Sequence, residues 1–150
     1  HERILVILPR PANLTPADTS ADITPSLANF IRHYHPAVDE VLVPFSPKPN
    51  DISALREQAC NYDYLIIGTL NAFELPAQQA LVQALLEIDT PTILVALRLP
   101  YDLAVFPKAK NYFCTYSILE PSRRALVKTI FGELEPVGQL PVSIPELLPA

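Results

Sequence analysis

The chain has 150 residues, which fits one domain of ordinary size that can bury a substantial core. Apolar residues make up 49% of it and charged residues 18%, a composition that excludes a disordered chain. The net charge of -5, with 11 scattered Lys and Arg residues, argues against a nucleic-acid partner. The apolar runs fall short of the roughly 18 residues that cross a bilayer, so we predict no membrane span and no signal peptide.

The first strand and first helix are predicted from an apolar run and a helix-start signal. The run "ILVIL", Ile4 to Leu8, is typical of a strand buried on both faces. After a long loop, Thr24 and Pro25 predict the start of a helix that ends before Pro36. Its predicted apolar face consists of Leu27, Phe30, Ile31 and Tyr34.

The second strand carries a proline that bears on its place in the sheet. Pro44 in "DEVLVPF" lacks the N–H that a central strand would donate, so we expect this strand at an edge. A helix follows, and "DYLIIGT" is the predicted third strand, which runs directly into Asn71. The apolar face of the intervening helix consists of Ile52, Leu55, Ala59 and Tyr62.

The second half of the chain continues the alternation. A helix is predicted from Leu75 to about Ile88, then the strands "TILVALR" and "NYFCTY". A last helix from about Ser122 to Phe131 ends at Gly132, which supplies the left-handed stop that helices favour. The predicted buried stripe of the first of these helices consists of Ala77, Leu81, Leu85 and Ile88.

Strands that alternate with helices predict a three-layer α/β/α sandwich around a mostly parallel five-stranded sheet. Of the two common strand orders, the flavodoxin-like order 2-1-3-4-5 places the second strand at an edge and 3-2-1-4-5 does not. Pro44 therefore favours 2-1-3-4-5. We expect the chain, residues 1–150, to form a single α/β domain.

Binding sites in such a sheet lie beyond the carboxyl ends of the strands. The loops there, "PRPAN" and "TLNAF", lack the glycines that admit a phosphate, so a flavin or dinucleotide site is not expected. A phosphate-accepting receiver is excluded because Pro9, Arg10, Thr69 and Tyr116 stand where its acidic residues and lysine would be. The G-x-S-x-G motif of serine hydrolases is absent.

Individual polar residues offer no catalytic group. His33 and His35 are two apart and cannot form a metal-ligand pair on one helix face, so no metal site is predicted. Cys60 and Cys114 are predicted to be small buried hydrophobic residues. Two further groups lie near the fourth strand.

Arg98 ends that strand and is interpreted first as a solvated or salt-bridged arginine, and second as a contact to a ligand or a partner domain. Asp102 follows in a proline-led turn and is interpreted first as a cap for that turn, and second as part of a site.

The end of the chain carries the most distinctive motif. The stretch "FGELEPVGQLPVSIP", residues 131–145, holds two of the three glycines in the chain. Together with "PYDLAVFP" and an aromatic strand followed by "TYS", it resembles the C-terminal domain of glycoside hydrolase family 3. The segment "DYLIIGTLNA" is similar to the third strand of that family and its exit. The likeness covers most of the chain, and the terminal motif is its most specific part.

The resemblance implies a function and a place in a larger protein. In the β-N-acetylhexosaminidase branch, to which "PYDLAVFP" and "TYS" point, the nucleophilic Asp and a His–Asp acid/base pair lie on a preceding barrel. The β-glucosidase branch takes a Glu from this domain, but no Glu here lies in a matching stretch. The resemblance therefore implies retaining hydrolysis of terminal β-linked N-acetylglucosamine by the parent. It implies no catalytic residue in this chain, which we expect to be inactive alone, and no metal or organic cofactor.

The resemblance also implies where this domain makes contacts. The chain contains no Met, even at position 1, so we expect it to be a piece of a longer chain with an N-terminal catalytic barrel. The domain is expected to pack on that barrel and help wall the sugar site. The candidates for the substrate rim or the interdomain contact are Asn71, Arg98, Tyr101 and Asp102.

The terminal "LPVSIP" is expected to run along the sheet as a closing strap and to supply an extra C-terminal edge strand. The alternative from another class is a stand-alone flavodoxin-like binding or protein-interaction module without catalytic activity.

Overall fold

A computed structural model describes residues 2–144 and places five parallel strands in one sheet in the order β2-β1-β3-β4-β5. The predicted order 2-1-3-4-5 and the edge position of the second strand are confirmed. Pro44 lies one residue beyond the end of that strand. The strands are β1 (Ile4–Pro9), β2 (Val38–Val43), β3 (Tyr64–Thr69), β4 (Thr92–Ala96) and β5 (Asn111–Cys114).

Helices cover both faces of the sheet, as the three-layer prediction requires. They are α1 (Ala28–Ile31), α2 (Pro49–Ala59), α3 (Pro76–Leu86) and α4 (Glu120–Ile130). Helices α1 and α4 pack against one core, and α2 and α3 pack against the other. Short 3-10 helices span Ser20–Asp22, Ala72–Glu74 and Pro100–Val105.

Strand β1 shows why both faces of the sheet need a helical layer. All six of its residues are buried. Ile4, Val6 and Leu8 point into the core under α1 and α4, and Leu5 and Ile7 point into the core under α2 and α3. Each such side chain stabilises the fold by about 1.5–3 kcal/mol relative to an exposed position. The alternation is that of a parallel strand covered on both sides.

Helix α1 differs from its prediction. It spans four residues, and Thr24 and Pro25 lie outside it. The backbone N–H groups of Leu27 and Ala28 donate instead to the Glu40 carboxylate, at 2.7 and 2.9 Å. A side chain from β2 thus satisfies the amides that a threonine before the helix was predicted to cap.

Two other predictions change in detail. In α3 the buried side chains include Gln78 and Val82, whereas Ala77 is only half-buried, and Ile88, also half-buried, lies beyond the end of the helix. Cys60 is exposed because it follows the last residue of α2 at the helix end, so the prediction that it is buried was wrong. Cys114 is half-buried.

The terminal motif lies partly within the described residues. Gly132 follows α4 with φ of +78°, which confirms it as the left-handed stop. Pro136 and Leu140 line, with β5 and α4, a groove of about 740 Å³ beside the outer edge of β5. Ile144 is fully buried at an isolated bridge position. The rest of the predicted strap, from residue 145 on, lies outside the described residues.

Gly68 in β3 is the one glycine of the three whose surroundings leave no room for a Cβ atom. A Cβ atom added there would lie 2.6 Å from Leu8 Cδ2 and 3.0 Å from Leu97 Cδ1, and both leucines are fully buried. We expect Gly68→Ala to lower the free energy of unfolding by about 1–3 kcal/mol through overpacking, measured by urea denaturation. The matched control is Gly138→Ala, where nothing lies within 4 Å of the new Cβ. Equal midpoints for the two variants would contradict the prediction.

Candidate functional site

All five strands are parallel, so their carboxyl ends meet at one edge of the sheet, here called the C-terminal edge. It is formed by the segments that follow the strands, residues 10–27, 44–48, 70–75, 97–110 and 115–119. The structure brings all four predicted rim residues to this edge. Asn71 follows β3, and Arg98, Tyr101 and Asp102 follow β4.

Asp102 is fully buried in the 3-10 helix Pro100–Val105. Its carboxylate accepts hydrogen bonds from the Thr69 hydroxyl and, at 3.1 Å, from the backbone N–H of Phe73. Burial raises the pKa of Asp102, and these hydrogen bonds only partly offset that rise. The sequence favoured a cap for its own turn, whereas the side chain fastens the end of β3 to the loop after β4. A contact between Asp102 and a ligand stays a prediction.

Asn71 adopts the left-handed conformation, with φ of 58°, directly after β3. Only 9% of the residue is exposed. Its Oδ1 atom is buried and has no hydrogen-bond partner among residues 2–144. The backbone on either side is held by two side chains of α3. Leu70 N donates to Gln78 Oε1 at 3.0 Å, and Gln79 Nε2 donates to the Ala72 carbonyl at 2.8 Å.

Gln78 is a site residue that sequence reasoning missed. It is 2% exposed, and its Nε2 donates to the Phe45 carbonyl at 2.9 Å while its Oε1 accepts from Leu70. Because β1 lies between β2 and β3, this side chain crosses the carboxyl end of β1, where flavodoxin-like sheets bind their ligands. The sequence contains a signal for the burial of Gln78, because this residue lies three and four positions before the buried Leu81 and Val82 and therefore on the same face of the helix.

Arg98 is salt-bridged, the first of its two predicted interpretations. Its guanidinium donates to Asp18 Oδ2 and to Ser20 Oγ, both at 3.2 Å. Asp18 also accepts from the backbone N–H groups of Leu14 and Ser20. Hydrogen bonds from Ser20 above all hold the pKa of Asp18 well below its usual range. The tip of β4 thus fixes the long loop that follows β1.

Tyr101 contributes an aromatic surface to the same edge. It is 39% exposed, and its ring meets the Phe73 ring edge to face at 5.7 Å. Five of the eight exposed large apolar side chains among residues 2–144 lie in C-terminal edge loops. An accumulation of this kind is typical of a surface that another body covers. The five are Leu14, Leu99, Tyr101, Tyr116 and Leu119.

Across residues 2–144, no group of three or more His, Cys, Asp and Glu side chains is placed to hold a metal ion. None of the helices in that part of the chain is long and apolar enough to span a membrane.

The strand order and the two helical layers define a flavodoxin-like three-layer domain, as predicted. No protein-family model and no curated protein sequence matches the chain. Solved structures do. A fungal multi-domain family 3 β-N-acetylglucosaminidase, described as having a GCN5-related glucosamine N-acetyltransferase region, is 26% identical, with a TM-score of 0.81 over 99% of this chain.

Two bacterial glycosidases share the fold at lower identity. A family 3 β-N-acetylglucosaminidase from Paenibacillus sp. str. FPU-7 is 21% identical, with a TM-score of 0.77 over 89% of this chain. A β-glucosidase from Listeria innocua is 11% identical, with a TM-score of 0.66 over 89% of this chain. The chain spans 16% of the fungal protein, 26% of the Paenibacillus protein and 22% of the Listeria protein. The predicted resemblance to family 3 β-N-acetylglucosaminidases is confirmed, and the chain matches one small part of these larger proteins.

The hydrogen bonds of Asp102 lead to a prediction about stability. Asp102→Ala is expected to lower the free energy of unfolding by about 1–3 kcal/mol, because the buried Thr69 hydroxyl and Phe73 N–H lose their acceptor. Asp102→Asn keeps one acceptor and removes the charge, so we expect a smaller loss. Urea denaturation of the three proteins at neutral pH measures both effects.

The same variants test the raised pKa of Asp102. The folded-state pKa of Asp102 lies above the unfolded value of about 3.9. The contribution of this carboxyl group to the free energy of unfolding is therefore fully present below the unfolded pKa and is lost as the pH rises through the folded pKa. The wild type should therefore lose stability relative to Asp102→Asn as the pH rises from about 4. A stability difference that stays constant from acid to neutral pH would refute the shift.

Proposed function

We propose that this chain is the C-terminal accessory domain of a family 3 glycoside hydrolase of the β-N-acetylglucosaminidase type. It packs on an N-terminal barrel of the same longer chain and helps shape the sugar site. The observation that carries the proposal is the match of 99% of this chain, at 26% identity and a TM-score of 0.81, to 16% of a multi-domain β-N-acetylglucosaminidase. The terminal "GQLPVSIP" motif supports it independently.

The C-terminal edge is the surface that faces the barrel. Leu99 and Leu119 are 38% and 53% exposed in the loops after β4 and β5, and the ring of Tyr101 is exposed in the first of these loops. An edge loop that contacts only water gains nothing from such side chains, whereas a docked domain buries them and gains about 25 cal/mol per Å² of apolar surface. The hydrogen bonds of Asp102 and Arg98 fix the loop after β4, which carries Leu99 and Tyr101.

Four carboxylates lie in the loops of this edge, those of Asp18, Asp22, Glu74 and Asp102, and the family resemblance assigns a catalytic role to none of them. Asp18 and Asp102 are both engaged in hydrogen bonds within the domain, so neither is free to exchange protons with a sugar. The parent reaction is retaining hydrolysis of a terminal β-linked N-acetylglucosamine by two successive displacements. The barrel carries that chemistry, and this domain closes and orients the sugar site without catalysis of its own.

The reaction itself gives the first test. We expect the full-length protein to hydrolyse 4-methylumbelliferyl β-N-acetylglucosaminide, and the 150-residue chain assayed beside it to be inactive. Activity in the chain alone would reveal a catalytic pair within it and overturn the accessory role. Inactivity of the full-length protein would favour the stand-alone interaction module, whose partner protein would then cover the C-terminal edge.

The docking surface gives the second test. Leu99→Ser combined with Leu119→Ser should lower kcat/KM of the full-length protein about tenfold, because a domain displaced by an ångström misplaces the groups that orient the sugar. The thermal unfolding of the isolated chain should change little, since both side chains are exposed there. Val137→Ser is the matched control, an apolar side chain that is 85% exposed and lies outside the loops that define this edge. Equal kcat/KM in the double variant and the wild type would place the docking surface elsewhere.

A further inference from the structure

Asn71 has a backbone conformation that is uncommon for a residue with a side chain. Within residues 2–144, only Asn71 and Tyr116 combine a positive φ with a side chain, at 58° and 56°. Asparagine tolerates this region better than most residues, but only glycine adopts it freely. A left-handed residue that persists in a folded domain is held there by its surroundings, and such residues cluster at functional sites.

The side chain of Asn71 adds a second energetic cost to that of its backbone conformation. The residue is 9% exposed, and Oδ1 is buried without a hydrogen-bond partner among the described residues. Buried polar atoms in native proteins almost always have a partner, so each exception needs an explanation. Here the domain leaves a buried amide oxygen unsatisfied at the C-terminal edge.

The surroundings of Asn71 hold it firmly in place. Asp102 accepts hydrogen bonds from Thr69 and Phe73, which lie two residues before and two residues after Asn71. Gln78 binds the N–H of Leu70, and Gln79 binds the carbonyl groups of Ala72 and Phe73. Buried or half-buried side chains therefore fix the backbone on both sides, and the conformation of Asn71 is overdetermined rather than loose.

The position and neighbours of Asn71 indicate the chemistry of its missing partner. It follows β3, whose neighbour is β1, so it stands at the switch point where small ligands bind. Two residues later Phe73 contacts the exposed ring of Tyr101. An amide that can accept and donate, two residues from a phenylalanine that contacts an exposed aromatic ring, suits a carbohydrate, which presents hydroxyl groups and an apolar C–H face.

We propose that Asn71 is a carbohydrate-binding residue whose amide turns on binding to hydrogen-bond a hydroxyl or acetamido group of the sugar, while Tyr101 packs against the sugar ring. This assignment rests on the proposed function and deepens it. Of the four residues that the sequence singled out, Asn71 and Tyr101 contact the sugar. Asp102 and Arg98 are positioning residues, because the hydrogen bonds that they form are to the domain itself.

The first experiment follows the thermal unfolding of this domain in the full-length protein without sugar. Asn71→Gly should raise Tm by about 2–4 °C, because it removes both the left-handed side chain and the unsatisfied oxygen. The matched control is Asn61→Gly, at an exposed asparagine whose Nδ2 donates to the carbonyl groups of Glu57 and Gln58 at the opposite edge of the sheet. That variant should not raise Tm. A lower Tm for Asn71→Gly would overturn the proposal, since the amide would then be a stabilising part of the domain.

The second experiment uses the full-length protein. Asn71→Gly should lower kcat/KM for the N-acetylglucosaminide about tenfold or more and weaken the rise in Tm that free N-acetylglucosamine gives the wild type. Asn61→Gly should leave both readouts unchanged. An active wild type with an equally active Asn71→Gly variant would overturn this inference alone, and an inactive wild type would overturn the proposed function and the sugar assignment with it. A separate, earlier unfolding transition of the domain in Asn71→Gly would show that the amide binds the barrel instead of the sugar.

Discussion

The burial of both faces of a parallel sheet is the constraint from which the rest of the domain follows. Every residue of β1 is buried, with Val6 facing one helical layer and Ile7 the other. Both faces of the sheet are therefore occupied by the core, and its two ends are what remains for binding. The carboxyl ends of all five strands meet at one of these, so loops that are distant in sequence lie side by side there.

Within that edge, a few buried polar side chains replace the apolar contacts that order the rest of the fold. Asp102 joins the exit of β3 to the loop after β4, and Gln78 joins the exits of β2 and β3 across the end of β1. Burial of such groups is costly unless every polar atom is paired, and for these two side chains the pairing is nearly complete. Asn71, which lies between their attachment points, is the exception.

The sequence predicts what is decided locally and misses what is decided between distant segments. Apolar runs and Pro44 were sufficient for the strands and their order, because burial of a parallel sheet leaves a direct pattern. The start of α1 was predicted wrongly, because its amides bind Glu40 on another element rather than a neighbouring side chain. Gln78 could have been found from its helical spacing. The unsatisfied amide of Asn71 could not, since it depends on side chains that meet only in the folded chain.

The C-terminal edge departs in three ways from what would make the isolated domain most stable. Among residues 2–144, it holds both residues other than glycine that adopt the left-handed conformation. It also holds a buried amide oxygen without a hydrogen-bond partner and five of the eight exposed large apolar side chains. Glycine at Asn71 and polar residues at Leu99 and Leu119 would remove these costs without disturbing the sheet. Because a domain that worked alone would gain from such changes, the concentration of these costs at one edge supports the proposed contacts of this edge with a sugar and a neighbouring domain.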